Sequence, residues 1–454
     1  MASTATERPA STRRRLLLTV MCVGMFLVQL DVTIVNVALP QIAEGLHTGL
    51  RGQQWVVDGY AVVLASLLLA GGTLGDRYGH KRVVLCGLGV FGMASLVCGV
   101  APDVATLVGG RALQGIGAAM LLPGTLAVIT RAFPGRTEQA RAVGVWAGVS
   151  ALALPAGPLI GGALVSGVGW RTVFLINLPI VVAAIPLTLR LVAESTDEHP
   201  RRLDIPGIVL ATTTLAATVY AVIAGEPLAL LAAVLALAGF GWREHRAAEP
   251  LLPLSLLREP AFTGANLVAA AMNLVGIGTI FVVTLYLQTV QHRSAFTAGL
   301  MLLPLFVPLA ALAPVTGRLT GHHGPRLPLT CGLLVGAAGS LAMIGLEPDS
   351  GYLRLLPVLL GLGIGMGLMT AAVVAAAVRS VPADRAGLAS GVNNTSRQAA
   401  GALAVAVYGA VAGTPTDGAG FVSGLHTVGV IGAAVWAAAL GLTWLTISGR
   451  VRTT

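Results

Sequence analysis

With 454 residues, 55% of them hydrophobic and only 10% charged, the chain carries too little charge to coat a soluble core of this size, where about 25% is usual. Its mean hydropathy is +0.84, and apolar stretches of roughly twenty residues, each able to cross about 30 Å of hydrocarbon, recur from end to end. A soluble enzyme is excluded and an all-α polytopic membrane protein is implied.

The net charge of +9 does not mark a nucleic-acid binder, because the basic residues fall in alternate connections. Arg8 and Arg13 to Arg15 precede the first span, and Arg77, Lys81 and Arg82 follow the second. Arg131, Arg136 and Arg141 come next, then Arg190, Arg201 and Arg202, then Arg243, Arg246 and Arg258. Arg318 and Arg326, Arg379 and Arg385, and Arg450 and Arg452 complete the series. Roughly 22 of the 28 basic residues lie on this side and about four (Arg51, Arg171, Arg293, Arg354) on the other, the asymmetry that marks cytoplasmic loops. Both termini are expected in the cytoplasm and the chain in the inner (plasma) membrane. The start "TRRRLLL" could suggest a twin-arginine signal, but its apolar run is too long and leads straight into further spans.

In chain order the expected spans are 16–38, 54–74, 83–101, 105–128, 140–163 and 170–190, then 205–223 and 227–243, then 263–287, 297–316, 327–346, 353–377, 387–411 and 422–447. These fourteen divide into a tail (1–15), an amino-terminal six-helix bundle (16–190), two inserted helices with flanking loops (191–262), a carboxy-terminal six-helix bundle (263–447) and a tail (448–454). An internal repeat supports the division: "GTLGDRYGHKR" at 72–82 aligns with "GRLTGHHGPR" at 317–326, pairing Gly72 with Gly317, Leu74 with Leu319, Gly79 with Gly324 and Lys81 with Arg326. Repeated halves around a central site are a recurrent transporter plan. Cys22, Cys86, Cys98 and Cys331 fall within spans, show no metal spacing and read as packing residues.

Asp31, Asp58, Arg111 and Arg397 are the charged residues placed within spans. At 1.5 Å per residue, Asp31 lies roughly 22 Å from the inner face, and Asp58 and Arg111 about 7 and 9 Å from the outer one. The three share a layer in the outer half of the amino-terminal bundle. Arg111 keeps its charge and needs a partner, which Asp31 or Asp58 could supply. Intramembrane acids usually mark ion or substrate pathways, so a proton site is the functional reading, and a static ion pair between the first and fourth helices the structural one. In "SGVNNTSRQAAG" (390–401), Asn393, Asn394, Thr395, Arg397 and Gln398 make one span polar. With Asn36 they are candidates to line a substrate cavity, or they hydrogen-bond between helices. Asp76, Arg77, Lys81 and Arg82 form either a solvated turn or a latch in which Asp76 meets a neighbouring helix or its N-terminal dipole. No HExxH, phosphate-binding GxxxxGK[ST] or GxSxG constellation is present. Neither catalysis, a metal nor a cofactor is expected; protons are the coupling ion.

"LDVTIVNVALP" at 30–40, "GTLGDRYGHK" at 72–81, "RALQGIGAA" at 111–119, "AGPLIGG" at 156–162, "WRTVFLINLP" at 170–179 and "SGVNNTSRQAAG" appear in order. Together they resemble the fourteen-helix drug–proton antiporter branch of the major facilitator superfamily across essentially the whole chain. The resemblance implies proton coupling through Asp31 and Arg111, with Gln114, Gly115 and Gly117 completing the helix-4 motif. Gly72, Asp76, Arg77, Gly79 and Lys81 would form the conformational gate, and Gly157, Pro158, Gly161 and Gly162 the helix-5 antiporter motif. "WVVDGY" at 55–60 looks like the helix-2 segment of members that handle cationic drugs, making Asp58 a second acid shared with substrate. Three features depart from the pattern. Ala153 stands where the helix-5 motif usually begins with Gly, Pro155 is displaced from the usual position, and the carboxy-terminal bundle has no acid in a span, since Glu347, Asp349, Asp384 and Asp417 read as loop residues. The expectation is a monomeric exporter of small amphipathic drugs or antibiotics, with only the lipid bilayer and a small-molecule substrate as partners. The alternatives are an exporter of an endogenous metabolite (an amino acid, a siderophore, the cell's own antibiotic) and a proton-independent flippase for lipid or cell-wall precursors.

Overall fold

The computed structural model describes residues 7–194, 204–247, 250–382 and 385–448. The basic residues Arg201, Arg202, Arg450 and Arg452, and the loop acid Asp384, lie outside these ranges. No strand occurs among the described residues. The long helices are α1 (Glu7–Gly45), α2 (Leu50–Tyr78), α3 (His80–Gly99), α4 (Val104–Ala132), α5 (Arg136–Gly167), α6 (Asn177–Leu191), α7 (Ile205–Ala224) and α8 (Pro227–Arg246). They continue with α9 (Pro260–Leu285), α10 (Leu303–His323), α11 (Arg326–Leu341), α12 (Tyr352–Arg379), α13 (Ala386–Ala412) and α14 (Gly418–Thr446). Thirteen described helical stretches are long and apolar enough to cross a membrane. The fourteenth long helix is α13, whose polar run Asn393–Gln398 lowers its hydropathy. The protein is a multi-pass membrane protein.

Two boundaries differ from the sequence expectation. Helix α1 begins at Glu7, so the basic cluster Arg13 to Arg15 is helical instead of a free tail. Residues 295–301 form a separate short helix before α10, because the helix stops at Leu302 and Pro304, which has no N–H to continue its ladder, sits in the first turn of the next. The cysteines also divide differently: Cys22 and Cys98 are buried, but Cys86 and Cys331 point outward and do not pack the core.

The same packing scheme builds both six-helix halves. In the first, α2 and α3 pack on α4, α1 on α5, and α3 on α6. In the second, α10 and α11 pack on α12, α9 on α13, and α11 on α14. The repeated loops share local geometry as well. Gly79 and Gly324 end α2 and α10 with φ of 98° and 78°, a region that glycine enters without a Cβ penalty. The paired basic residues then do the same job: Lys81 Nζ donates to Leu189 O at 2.8 Å and Arg326 Nη2 to Trp444 O at 3.1 Å. Each acceptor lies in the last turn of the sixth helix of its half, where free carbonyls attract a cation.

Helix α7 sits against the seam between the halves, its Val219 and Ile223 packing with Val62 of α2 and Ala402 and Ala406 of α13. Helix α8 packs on α7 and is largely exposed. At the far end of the molecule, where neither the start of α1 nor the end of α14 lies, Asp103 caps α4 by accepting from Thr106 N at 2.8 Å. That bond holds its carboxyl below the usual carboxylate range.

The two halves meet at this far face. Residues 33–39 of α1 and 278–287 of α9 and the turn after it are buried without interruption, which requires neighbours all round each helix. Gln54 Nε2 donates to Val405 O and Ala406 O, both at 3.1 Å, and Gln288 Nε2 to Val37 O at 3.0 Å. The halves are therefore sealed against each other at the far face. Toward the opposite face one side of α5 and of α10 is uncovered: a Cβ added at Gly144, Gly148, Gly317 or Gly321 would touch nothing.

Candidate functional site

Three helices of the amino-terminal half converge on one buried ion pair. Asp31 of α1 and Arg111 of α4 are each 1% exposed and share a short salt bridge between Oδ2 and Nη1. Helix α4 is brought this close by its glycines. A Cβ at Gly115 would stand 2.7 Å from Tyr60 O of α2, and one at Gly117 2.8 Å from Phe91 N of α3. Arg111 Nε donates to Val56 O at 3.0 Å, and its guanidinium lies 4.3 Å over the Tyr60 ring. A charge removed from water needs this much compensation.

Gln114 completes the pair and is itself fixed in orientation. Its Oε1 accepts from Arg111 Nη1 at 2.8 Å, while its Nε2 donates to Asp31 Oδ1 at 3.3 Å and to Ser95 Oγ at 2.8 Å. Ser95 gives its one proton to Phe91 O at 2.8 Å, so toward Gln114 it can only accept. Asn177 Nδ2 of α6 is a second donor to Ser95, at 3.2 Å. The chain Asn177–Ser95–Gln114 thus holds both members of the pair from behind. Sequence reasoning missed Ser95 and Asn177. Asn177 stood inside the quoted "WRTVFLINLP"; Ser95 carried no signal in an apolar run.

Asp58 does not join this cluster. It is fully buried, and neither carboxyl oxygen has a hydrogen-bond partner. It lies one turn from both Gln54, which bonds α13, and Val62, which packs on α7 and α13. Of the two acids that could serve Arg111, Asp31 does so; Asp58 faces the seam between the halves.

The loop residues Gly72, Asp76, Arg77, Gly79 and Lys81 gather where α2 turns into α3. Asp76 pairs with His80 Nε2 at 3.4 Å, across one turn at the start of α3. Lys81 N donates to Glu194 Oε1 at 3.2 Å, and Arg82 lies 3.4 Å from the other oxygen of Glu194. Arg77 is exposed beside the Tyr78 ring, and Gly72 makes only ordinary contact with Pro123.

In the helix-5 segment, Gly157 and Gly161 face α1. A Cβ at Gly157 would overlap Thr33 Oγ1, and one at Gly161 would approach Ile34 Cγ1 to 2.8 Å. Gly162 and Pro158 face the other half. A Cβ at Gly162 would lie 2.7 Å from Phe296 Cα, and one at Gly299 2.2 Å from Pro158 O. Phe296 N also donates to Ser166 Oγ at 3.2 Å. These residues make the backbone-to-backbone seal at the far face.

The polar stretch of α13 turns partly toward α9. Asn393 Nδ2 donates to Asn266 Oδ1 and Arg397 Nε to Asn273 Oδ1, both at 3.3 Å. Asn394 and Gln398 are partly buried. Asn36 of α1 bonds back to Val32 O at 2.9 Å and leaves its Oδ1 without a partner. No group of three or more His, Cys, Asp or Glu able to hold a metal ion occurs among the described residues.

Comparison with known proteins agrees with this architecture. The family model described as "Major Facilitator Superfamily" matches residues 21–405. The chain is 37% identical over 419 residues to the methylenomycin A resistance protein of Streptomyces coelicolor, covering 89% of this chain and 87% of that protein. It is 36% identical over 398 residues to the multidrug resistance protein Stp of Mycobacterium tuberculosis, covering 85% and 73%, and 38% identical over 400 residues to the tetracenomycin C resistance and export protein of Streptomyces glaucescens, covering 85% and 74%. Among solved structures, the peptide transporter POT in complex with sulfate superposes with a TM-score of 0.70 at 14% identity, covering 95% and 96%. A bacterial homologue of the human lysosomal transporter Spinster gives 0.66 at 17%, covering 96% and 97%. The fold and these relatives are those of transporters, and the chain belongs to the Major Facilitator Superfamily.

Proposed function

We propose that this protein exports small amphipathic drugs or antibiotics in exchange for protons, by alternating access, across the inner membrane with both termini in the cytoplasm. The observation that carries the proton part is the buried Asp31–Arg111 pair cross-linked by Gln114. Protonation of Asp31 removes one charge of the pair and leaves Arg111 to Gln114, Val56 O and the Tyr60 ring. The bonds between α1 and α4 are then rearranged, which gives a proton leverage on how the amino-terminal half packs. Alternation is supported by the closure at the far face, where the Gly162–Phe296 and Pro158–Gly299 contacts hold the halves together. The resistance and export relatives support drugs or antibiotics as cargo.

Asp76, Arg77 and Lys81 serve as the gate of this cycle, and Asp58 as a second acid at the seam. Neither a cofactor nor a protein partner enters it. Inverted membrane vesicles test the reading. They are energised to an acid interior, and a pH-sensitive dye reports proton release as antibiotics are added. Release with the wild-type protein and none with empty vesicles is expected. Antibiotic transport with no proton movement would refute proton coupling.

A further inference from the structure

Arg397 is a charge without a counter-charge. It sits midway along α13, and only its Nε is bonded, to Asn273 of α9. Its two Nη groups make no hydrogen bond or ion pair among the described residues, and the side chain is only partly buried. A guanidinium does not shed its charge when buried, and an unpaired one in low dielectric is expensive.

No described acid answers it. Asp31 is committed to Arg111. Asp58 lies against the apolar α2–α7–α13 contact, about a turn and a half farther along α13 by helix register. In the carboxy-terminal half, the described acids Glu259, Glu347, Asp349 and Asp417 all lie outside the long helices. Glu347 is paired with Arg354, and Asp417 caps α14.

We infer that Arg397, held by Asn273, is the subsite for an anionic group of the cargo, and that this exporter takes amphipathic organic acids bearing a carboxylate. With Nε fixed by Asn273, the two Nη groups present parallel donors to two oxygens, the arrangement by which arginine grips carboxylates. The inference rests on the proposed export function and names its substrate class.

The test pairs acids with neutral twins. Purified full-length protein is titrated with fluorescein and two naphthalenecarboxylic acids, each against its methyl ester or primary amide, and thermal stabilisation gives apparent affinity. Wild type should favour each acid by roughly ten- to hundred-fold, the scale of one hydrogen bond to a charged group. Arg397→Gln should abolish that preference, so that each acid binds no more tightly than its neutral twin, and Arg397→Lys should restore part of it. Equal binding of acids and twins by wild type, or an unchanged preference in Arg397→Gln, overturns the inference. Antibiotic export in vesicles with no acid bound also overturns it. Failure of both binding and export would count against the transport reading itself and take this inference with it.

Discussion

Lys81 and Arg326 occupy matching places in the two halves, and each donates to a carbonyl two residues before the end of the sixth helix of its half, Leu189 and Trp444. The bond closes each bundle at the end that bears the termini. Removing either cation leaves a helix-end carbonyl to water, so Lys81→Ala and Arg326→Ala should each cost about 1 kcal/mol. The double variant should lose the sum, since the sites lie in separate bundles. Thermal unfolding of the purified protein checks both points.

The far-face seal depends on the missing side chains at Gly162 and Gly299, where a Cβ would meet Phe296 Cα and Pro158 O. Gly162→Val or Gly299→Val should hold the halves apart there. Transport should fall by roughly ten-fold or more, because about 1.4 kcal/mol of lost closure is already a factor of ten. A thiol reagent applied from the far face should meanwhile label a cysteine placed at Gln288 faster than it does with the wild-type glycines, where position 288 is half-buried beside Val37 O.

Ser95 and Asn177 touch neither Arg111 nor Asp31, yet they fix the amide that touches both. Ser95→Ala and Asn177→Ala should displace the pH profile of proton-coupled transport, with little change in the cargo concentration that gives half-maximal rate. A purely structural role would lower the amount of folded protein and leave the profile in place.

Asp58 is buried with both oxygens bare, and such a group costs about 1–3 kcal/mol or more when charged. Asp58→Asn should raise thermal stability and impair coupling, a trade expected of a residue kept for its work. A fall in stability would show that the carboxylate has a partner in the unliganded protein.

Most of the architecture was legible because it rests on length, apolarity and charge alternation, none of which needs tertiary contacts. The location of the first buried pair was legible too, since 1.5 Å per residue sets the depth of Asp31 and Arg111. Depth is not azimuth, however. Asp58 shares their layer but projects to the seam, and only the packing of Gln54 and Val62 around α2 reveals it. Ser95 was hidden for a related reason: a single hydroxyl in an apolar helix is ordinarily satisfied by its own backbone, and only α4 and α6 give it two further donors. The separate helix 295–301 was also obscured, because its residues read as a continuation of the apolar run.

The most direct test separates carrying cargo from carrying protons. In proteoliposomes, Asp31→Asn is compared with wild type for exchange of labelled against unlabelled cargo at equal pH, and for uptake driven by a pH gradient. The account predicts that Asp31→Asn keeps the exchange and loses the gradient-driven uptake. Gradient-driven uptake by Asp31→Asn at the wild-type rate would contradict it and leave the Asp31–Arg111 pair as a structural fastening between α1 and α4.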